Sequence, residues 1–569
     1  MKQKRLIAIV GVVLILLFAL TACDNNVARE ETYTISGEVT NFEGKAVEDA
    51  KLSIQDSDGN ITVTTNSNGE WEASNISGTA EIELPAEGLP EKHKVKNTSK
   101  NIDFIKAKVP EVTISKSELE TIIQDLTSPQ RFGGRLAGIE GGNKTEDYVN
   151  DYFKNINNLQ KHPDTGDNYK QQFDHWMYYP LGPSKLEITD SNGEPIKRFT
   201  PLDDFIPLTT LVHAELNGDP QPTSLHLYEG TIKDEFTGDI VLLPEDTSKT
   251  QTLNVGQKMV DLKHNTNYDF ETLQTIIENA KKEDVAGVIL ESSSENLGKV
   301  VGIMPYGGKE NLALENDNPI IFKANNTTFQ SLEDIMNNND RLVNMKINYD
   351  LKKNATSNNI IGYIEGETNE NLLIGAHIDH IGFSYNKNGE KEYYVGALDN
   401  ASGTAVMMGL AKYAAENLGK PEKNLIFIGF GAEEINLRGS IYYAYEYAPN
   451  TSNIDLNNTS IINMDMMGQP MDLYNAESID VPMLEKLNRI LSIGYNIKTS
   501  KINESYGSDN RSFEYMNDAN INKNNIIALA TPDSEEIIHT REDTPDKLNY
   551  EEIKTVTKGL LTYIYNEAY

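Results

Sequence analysis

Seven imidazole and carboxylate side chains in the second half of the chain have the types and positions needed to hold metal ions. Each follows an apolar run or begins a loop of small residues, as His377 does after Leu372–Ala376. Open α/β sheets bind ligands beyond the carboxyl ends of their strands, and imidazole with carboxylate suits zinc or a related divalent ion in a catalytic site. The pattern therefore predicts a two-metal hydrolase site. The seven residues are His377, Asp379, Asp399, Glu433, Glu434, Asp465 and His539.

Short apolar runs predict the strands that must position these side chains. Helical segments alternate with the runs, and one of them opens at Asp399–Gly403 with Val406, Leu410 and Tyr413 on its inner face. This alternation predicts an α/β fold in which a mixed, mainly parallel sheet is flanked by helices. The predicted buried strands lie at 360–361, 372–374, 425–428, 461–462 and 526–529.

Five sequence strings around these residues resemble the M28 family of di-zinc aminopeptidases. They occur in the order found in that family, and the loop Gly133–Gly138 with its following helix resembles the family's N-terminal portion. The resemblance covers about 112–170 and 350–569 and implies a zinc-peptidase phosphorylase/hydrolase-like fold. The strings are Gly-Ala-His-Ile-Asp-His-Ile-Gly at 375–382, Ala-Leu-Asp-Asn-Ala-Ser-Gly at 397–403, Ala-Glu-Glu at 432–434, Asn-Met-Asp-Met-Met-Gly at 463–468 and His-Thr-Arg-Glu-Asp-Thr-Pro-Asp-Lys-Leu at 539–548.

The resemblance implies two zinc ions and five ligands. His377, Asp399 and Asp465 would bind one ion. Asp399, Glu434 and His539 would bind the other, so Asp399 is the expected bridge. Such an ion pair would activate a shared water and polarise the scissile carbonyl.

The neighbours of the ligands receive supporting or catalytic roles from the same resemblance. Asp379 would hold the His377 imidazole in the ligating tautomer, and Glu433 would be the general base. His380 is expected to be a supporting residue rather than a ligand. Members of the family often carry His or Tyr as an oxyanion stabiliser where this chain has Asn510, whose amide could also donate a hydrogen bond.

Further modules are expected around the peptidase domain. Alternating strands and Gly-containing turns at 33–108 predict a β-sandwich that resembles carboxypeptidase-regulatory-like modules. Residues 112–174 are expected to form the N-terminal part of the peptidase domain, where Ser117 is expected to cap a helix, and 350–569 are expected to form its catalytic part. Residues 175–345 resemble an inserted protease-associated domain, with strands expected at 239–243, 285–290 and 319–322 and a helix at 270–280.

The first 32 residues predict export and lipid attachment. Basic residues precede an apolar run from Leu6 to Leu20, as in a secretory signal. The sequence Leu-Thr-Ala-Cys at 20–23 resembles the bacterial lipobox, which implies a signal peptide at 1–22, lipidation of Cys23 and a tether at 23–32. The protein is therefore expected on the outward-facing side of the cell membrane, in an extracellular or periplasmic position.

Charge and site together define the expected function. A formal net charge of −35 argues against a nucleic-acid partner. The expectation is a zinc aminopeptidase acting on peptide substrates. A carboxypeptidase or dipeptidase with the same metal site, and a non-catalytic surface-binding lipoprotein on the same scaffold, are the alternatives. The preferred N-terminal residue, the native metal and the oligomeric state stay open.

Overall fold

A computed structural model describes residues 32–207 apart from isolated positions, separate stretches between 213 and 346, and 349–569 apart from 449–453, 515–521 and 533–536. The predicted signal peptide at 1–22, Cys23, the tether up to residue 31 and the predicted helix at 270–280 lie outside the described residues. The chain divides into two units, Met1–Ala107 and Lys108–Tyr569. In the described part of the chain, no helix combines the length and apolar character needed to cross a membrane.

The N-terminal unit contains two sheets whose side chains form one hydrophobic core. Residues alternate between core and solvent along each strand, so Ile35 and Trp71 of one sheet meet Leu52 and Ile82 of the other. The first sheet has the order Glu70–Ile76, Tyr33–Asn41, Phe104–Lys106, Gly88–Leu89, with Lys100–Asn101 also paired to Tyr33–Asn41. The second has the order Asn60–Thr64, Lys51–Gln55, Thr79–Glu83, His93–Lys96.

Among the described residues, a ten-stranded mixed sheet organises the second unit. Nine of its strands are β1 (Lys170–Pro180), β2 (Tyr306–Gly308), β3 (Tyr349–Ile364), β4 (Asn371–His377), β5 (Asn424–Phe430), β6 (Thr459–Met464), β7 (Met471–Tyr474), β8 (Thr499–Ile502) and β9 (Ile526–Ala530). Along the sheet their order is β2-β1-β3-β5-β4-β6-β9-β7-β8, and the tenth strand, Gln160–Lys161, pairs with β3. The central block β5-β4-β6-β9 is parallel, β1, β2 and β3 are antiparallel additions on one side, and on the other side β7 is antiparallel to β9 and parallel to β8.

Both faces of this sheet are covered, because every residue of β4 and β5 is buried. The even-numbered residues Ile426 and Ile428 pack with Tyr443, whereas Gly429 faces Met407 of the opposite layer. The principal helices are α1 (Lys116–Leu126), α2 (Glu140–Lys154), α3 (Gly403–Asn417) and α4 (Tyr550–Ala568), with shorter ones at Pro129–Phe132, Arg438–Ile441, Pro482–Arg489 and Asn510–Glu514. The predicted mixed α/β class is confirmed.

The cap of α1 differs from the sequence prediction. Ser115, not Ser117, is the N-cap, and its hydroxyl accepts a hydrogen bond from the backbone N–H of Glu118. The earlier start lets Leu119, Ile122, Ile123 and Leu126 form the buried face. Two serines close together offer the same chemistry, so the choice depends on where the apolar face must point.

The described strands between 185 and 346 form two further four-stranded sheets. One has the order Pro195–Arg198, Lys185–Asp190, Arg341–Lys346, Phe236–Gly238, and the other Phe205–Pro207, Ile320–Asn325, Gly287–Ser292, Ile240–Leu243. The three predicted strands are thus present, and they pair in parallel. The central sheet nevertheless reaches into this region, since β1 crosses the predicted boundary at 174/175 and β2 pairs with β1.

Candidate metal centre

The predicted site residues gather at one edge of the central sheet. His377 ends β4, while Glu434 and Asp465 follow the ends of β5 and β6. These strands run parallel side by side, so their carboxyl ends share an edge. His539 comes from the loop after β9, and Asp399 from the turn Ala397–Ser402 before α3.

Two groups of possible ligand atoms meet at Asp399. The first, called the His377 group, consists of His377, Asp399 and Asp465, all buried. Its imidazole Nε2 lies 3.2 Å from Oδ1 of Asp399 and 3.2 Å from Oδ1 of Asp465. The second, called the His539 group, consists of His380, Asp399, Glu434 and His539. In this group, Nε2 of His539 lies 2.9 Å from Oδ2 of Asp399 and 3.2 Å from Oε2 of Glu434.

These separations fit divalent metal ions. Ligands placed at about 2.0–2.1 Å around a tetrahedral ion are roughly 3.3 Å from one another. Asp399 offers Oδ1 to one group and Oδ2 to the other, which is the arrangement a bridging carboxylate requires. The five predicted ligands are therefore brought together in the predicted pairing, and His380 joins them.

The imidazoles and carboxylates of the site alter one another's ionisation. Burial disfavours a charged imidazole, yet the surrounding carboxylates outweigh it and raise the pKa of His377 and of His539 well above the ordinary value. Burial likewise opposes ionisation of Asp399, but three imidazoles hold the pKa of its carboxyl well below the ordinary value. The site thus stabilises positive charge at both groups, which is the charge that metal ions would bring.

The consecutive residues Glu433 and Glu434 have opposite pKa shifts. Burial, reinforced by Glu434, Asp509 and Asp465, raises the pKa of Glu433 well above its ordinary value. Burial also acts on Glu434, but His539 and His380 lower the pKa of that carboxyl to about 2. A carboxyl with a raised pKa holds a proton more readily than a free carboxyl, whereas one with a lowered pKa stays anionic.

Asp379 contacts the loop that carries these two glutamates. Its oxygens accept hydrogen bonds from the backbone N–H groups of Glu433 at 3.0 Å and Glu434 at 3.2 Å. Its Oδ1 lies 3.7 Å from Nδ1 of His377, which is longer than a hydrogen bond. The observed contacts therefore position the Glu433–Glu434 loop, and the expected orientation of His377 stays a prediction.

Arg135 connects the loops of the site and was not assigned a role from the sequence. Its side chain is fully buried, and burial lowers the pKa of the guanidinium while nearby carboxylates including Asp399 and Asp543 act in the opposite direction. Every acceptor of the guanidinium among the described residues is a backbone carbonyl, so the side chain ties the loop after β4 to the turn that carries Asp399. The acceptors are the carbonyls of Leu126, Ile378, Val395, Gly396 and Asp399.

Two further side chains hold the turn at Asp399. The Asp543 carboxylate accepts from the backbone N–H groups of Leu398 at 2.7 Å and Asp399 at 3.0 Å. Asn400 donates to the carbonyl of Met464 and accepts from the N–H of Met466. Asp543 and Asn400 both lie inside the sequence strings that resemble the family. Their residue types, however, do not indicate that they hydrogen-bond to the backbone of the site loops.

Asn510 is not available as an oxyanion stabiliser. It is fully buried, and its Nδ2 already donates to the Tyr506 carbonyl at 2.9 Å and to Oε1 of Glu514 at 2.8 Å. An amide nitrogen has two hydrogens, so no donor remains. Tyr506 instead packs against Leu398 and Met466, the chain neighbours of Asp399 and Asp465, and burial together with the charges of those two aspartates raises its pKa. The signal in the sequence that could have indicated this residue is a tyrosine two positions before Ser508-Asp509.

Strained backbone occurs where the site is built. Ala432, Met466 and His539 have φ values of 56°, 62° and 55°, in the left-handed region that non-glycine residues rarely adopt. Each is a site residue or precedes or follows one. Such conformations persist only where surrounding contacts impose them, and they are common at functional sites.

A mixed α/β sheet with two donor groups sharing a carboxylate at its edge is typical of metal-dependent hydrolases. Residues 359–564, which include all five predicted ligands, match the family model for Peptidase family M28. This segment is a Peptidase family M28 domain, and the predicted family is confirmed.

Known proteins with similar sequences carry aminopeptidase names. Aminopeptidase YwaD of Bacillus subtilis is 27% identical over 226 residues, covering 37% of this chain and 45% of that protein. An aminopeptidase of Pseudomonas aeruginosa is 25% identical over 357 residues, covering 59% of this chain and 54% of that protein. The chain thus spans about half the length of these curated relatives.

Solved structures share the fold over a larger part of the chain. The aminopeptidase from Aneurinibacillus sp. strain AM-1 is 20% identical, with a TM-score of 0.52 over 80% of this chain and 94% of that one. The Bacillus subtilis zinc aminopeptidase BSAP is 17% identical, with a TM-score of 0.52 over 80% and 96%. At these identities the likeness concerns the fold.

Proposed function

We propose that this protein is an extracytoplasmic zinc-dependent aminopeptidase that hydrolyses N-terminal residues from peptides. The observation that carries the proposal is the position of Asp399, whose two oxygens each join a different group of buried donors. The named relatives support the reaction, since they are aminopeptidases, and BSAP is a zinc enzyme.

His377 and Asp465 would hold one zinc ion, Glu434 and His539 the other, with Asp399 shared. When bound, such an ion pair supplies Lewis-acid chemistry that makes water acidic near neutral pH and polarises a carbonyl. Glu433 is partly exposed at the edge of the site and has a raised pKa. It takes the proton of the attacking water and returns it to the departing amine.

Tyr506 is the proposed donor to the developing oxyanion. Its ring packs against Leu398 and Met466, beside Asp399 and Asp465, and burial raises its pKa, so the hydroxyl stays protonated. A preorganised donor of this kind stabilises charge that appears only in the transition state. This assignment replaces the expectation placed on Asn510.

The remaining modules extend the proposal. Two sheets with one shared core at 33–106 support a β-sandwich spacer. The strands between 185 and 346 support an inserted protease-associated-like domain that forms a wall or lid beside the cleft. The lipid anchor is the third part of the proposal: lipidation of Cys23 would tether the enzyme to the outer side of the membrane. A Cys23→Ser variant is therefore expected to leave the membrane fraction. Retention of that variant in the membrane fraction would contradict the anchor.

The decisive experiment compares a peptide bearing a free N-terminal amine with the same peptide N-acetylated, on a preparation whose zinc content is measured. We expect release of the N-terminal residue from the free amine only, and loss of that release after chelation. Equal cleavage of both peptides would overturn the aminopeptidase assignment and favour a carboxypeptidase or dipeptidase. Two bound ions without hydrolysis of either peptide would favour a binding lipoprotein.

A further inference from the structure

His380 is a buried imidazole of the site that the proposed reaction leaves without a role. It is fully buried, and its Nδ1 lies 2.9 Å from Oε1 of Glu434 but 3.7 Å from Oδ2 of Asp399. Only the first distance is that of a hydrogen bond. A carboxylate can only accept, so Nδ1 carries the hydrogen in this contact.

This contact divides the two oxygens of the Glu434 carboxylate. Oε1 is engaged by His380. Oε2 is buried and lies 3.2 Å from Nε2 of His539. The oxygen that faces the predicted metal ligand is therefore the one that His380 does not engage.

The orientation of the His380 ring is fixed from outside the metal centre. A Cβ at Gly396 would meet Cδ2 and Cγ of the ring at 2.5 and 2.6 Å, so the glycine allows the ring to lie against the backbone of that turn. The His380 backbone N–H donates to the Arg135 carbonyl at 3.3 Å. The imidazole thus approaches Glu434 from a rigid position.

We infer that His380 is a positioning residue for the second metal ion. Its Nδ1–H fixes the Glu434 carboxylate so that Oε2, and not Oε1, is available to bind. Hydrogen bonds that orient a ligating carboxylate typically change metal affinity 10–100-fold when removed. The inference rests on the proposed two-ion site and adds to it the selection of one carboxylate oxygen.

The test uses two substitutions of similar size. In His380→Asn, the Asn Nδ2 keeps a donor near the position of the imidazole Nδ1, whereas His380→Leu fills the space without a donor. Stepwise Zn²⁺ titration by calorimetry, with Co²⁺ absorption as an independent report on coordination, measures each ion separately. We expect the Leu variant to lose about 10–100-fold in affinity at one of the two steps, and the Asn variant to retain most of the wild-type affinity at both.

Two outcomes would overturn the inference. Equal losses in both variants would show that His380 ligates the ion directly or only fills space, and wild-type affinity in the Leu variant would show that the contact is idle. Neither result affects the proposed aminopeptidase activity, which the free and acetylated peptides test on the wild-type protein. A wild-type protein that binds a single ion would overturn the two-ion site and this inference together.

Discussion

The His377 group and the His539 group share Asp399 but differ in their electrostatic surroundings. Within the His539 group, the two imidazoles lower the pKa of Glu434 to about 2. Beside the His377 group, burial and neighbouring carboxylates raise the pKa of Glu433 well above its ordinary value, and burial raises that of Asp509 to about 7. One side therefore favours permanent negative charge, and the other favours carboxyls that can carry a proton.

This difference assigns different work to the two sides of one acidic centre. Carboxylates that stay ionised are suited to holding a cation, and a carboxyl titrating near neutrality is suited to proton transfer. The adjacent residues Glu433 and Glu434 show that environment, not residue type, makes the division. Four substitutions, two of them with a control variant, can break or sharpen this comparison.

The largest effect is expected from Glu433→Gln. Loss of the proton-carrying group should lower kcat about 10²- to 10⁴-fold, because general acid–base catalysis contributes roughly that much. Zinc content should remain at the wild-type value, since Glu433 is outside both donor groups. Peptide hydrolysis and elemental analysis on one preparation measure both quantities.

His377→Ala provides the contrast, because it removes a predicted ligand and should lower zinc content as well as activity. Undiminished turnover in Glu433→Gln would refute the proton-transfer role. Loss of zinc from Glu433→Gln would instead show that Glu433 also holds metal, and the distinction between metal-holding and proton-carrying carboxyls would fail.

The next largest effect is expected from Arg135→Met, which tests what holds the two sides together. The guanidinium donates to five carbonyls, four of them in buried contacts, and each unsatisfied buried acceptor costs about 1–3 kcal/mol. We expect a loss of roughly 5 kcal/mol in the free energy of unfolding, measured by urea denaturation of the zinc-free protein.

Arg131→Met is the matched control, since this arginine is about half exposed and pairs with Asp125. Exposed ion pairs contribute about 0–1 kcal/mol. Equal effects of the two substitutions would show that Arg135 is not the link between the loops.

A smaller and pH-dependent effect is expected from Asp509→Asn in the zinc-free protein. The Asp509 pKa rises from 3.8 to about 7 on folding, so the native state binds the proton more tightly and stability falls as pH rises through that interval. This corresponds to at most about 4 kcal/mol. The Asn variant should therefore gain stability relative to wild type between pH 4 and 7, as thermal unfolding at several pH values would show.

Glu434→Gln should behave in the opposite way. The Glu434 pKa is lowered from 4.5 to about 2, so its carboxylate stabilises the native state above pH 4.5 and this contribution disappears as pH falls through 2. The Gln variant should be less stable than wild type at neutral pH and approach it in acid. The same pH profile for both variants would contradict the difference between the two sides.

Much of the fold and site was predictable because the signals are local. Apolar runs mark buried strands, and polar residues directly after parallel strands must share a sheet edge, which is where His377, Glu434 and Asp465 lie. Two features were not predictable: Ser115 as the helix cap, and the hydrogen bonds that occupy the side-chain amide of Asn510. Each depends on which partner comes within reach after folding. The same holds for Arg135, whose acceptor Ile378 is 243 positions away.

The sequence by itself determined the donor types, their order and the elements that carry them, because strand formation and donor chemistry are properties of short segments. Only the tertiary structure decided which oxygen of Asp399 faces which group, that His380 engages Oε1 of Glu434, and that adjacent glutamates have opposite pKa shifts. Those features depend on burial and on distances of a few ångströms between segments far apart in the chain. Electrostatic interactions at that range are set by the folded arrangement rather than by residue type.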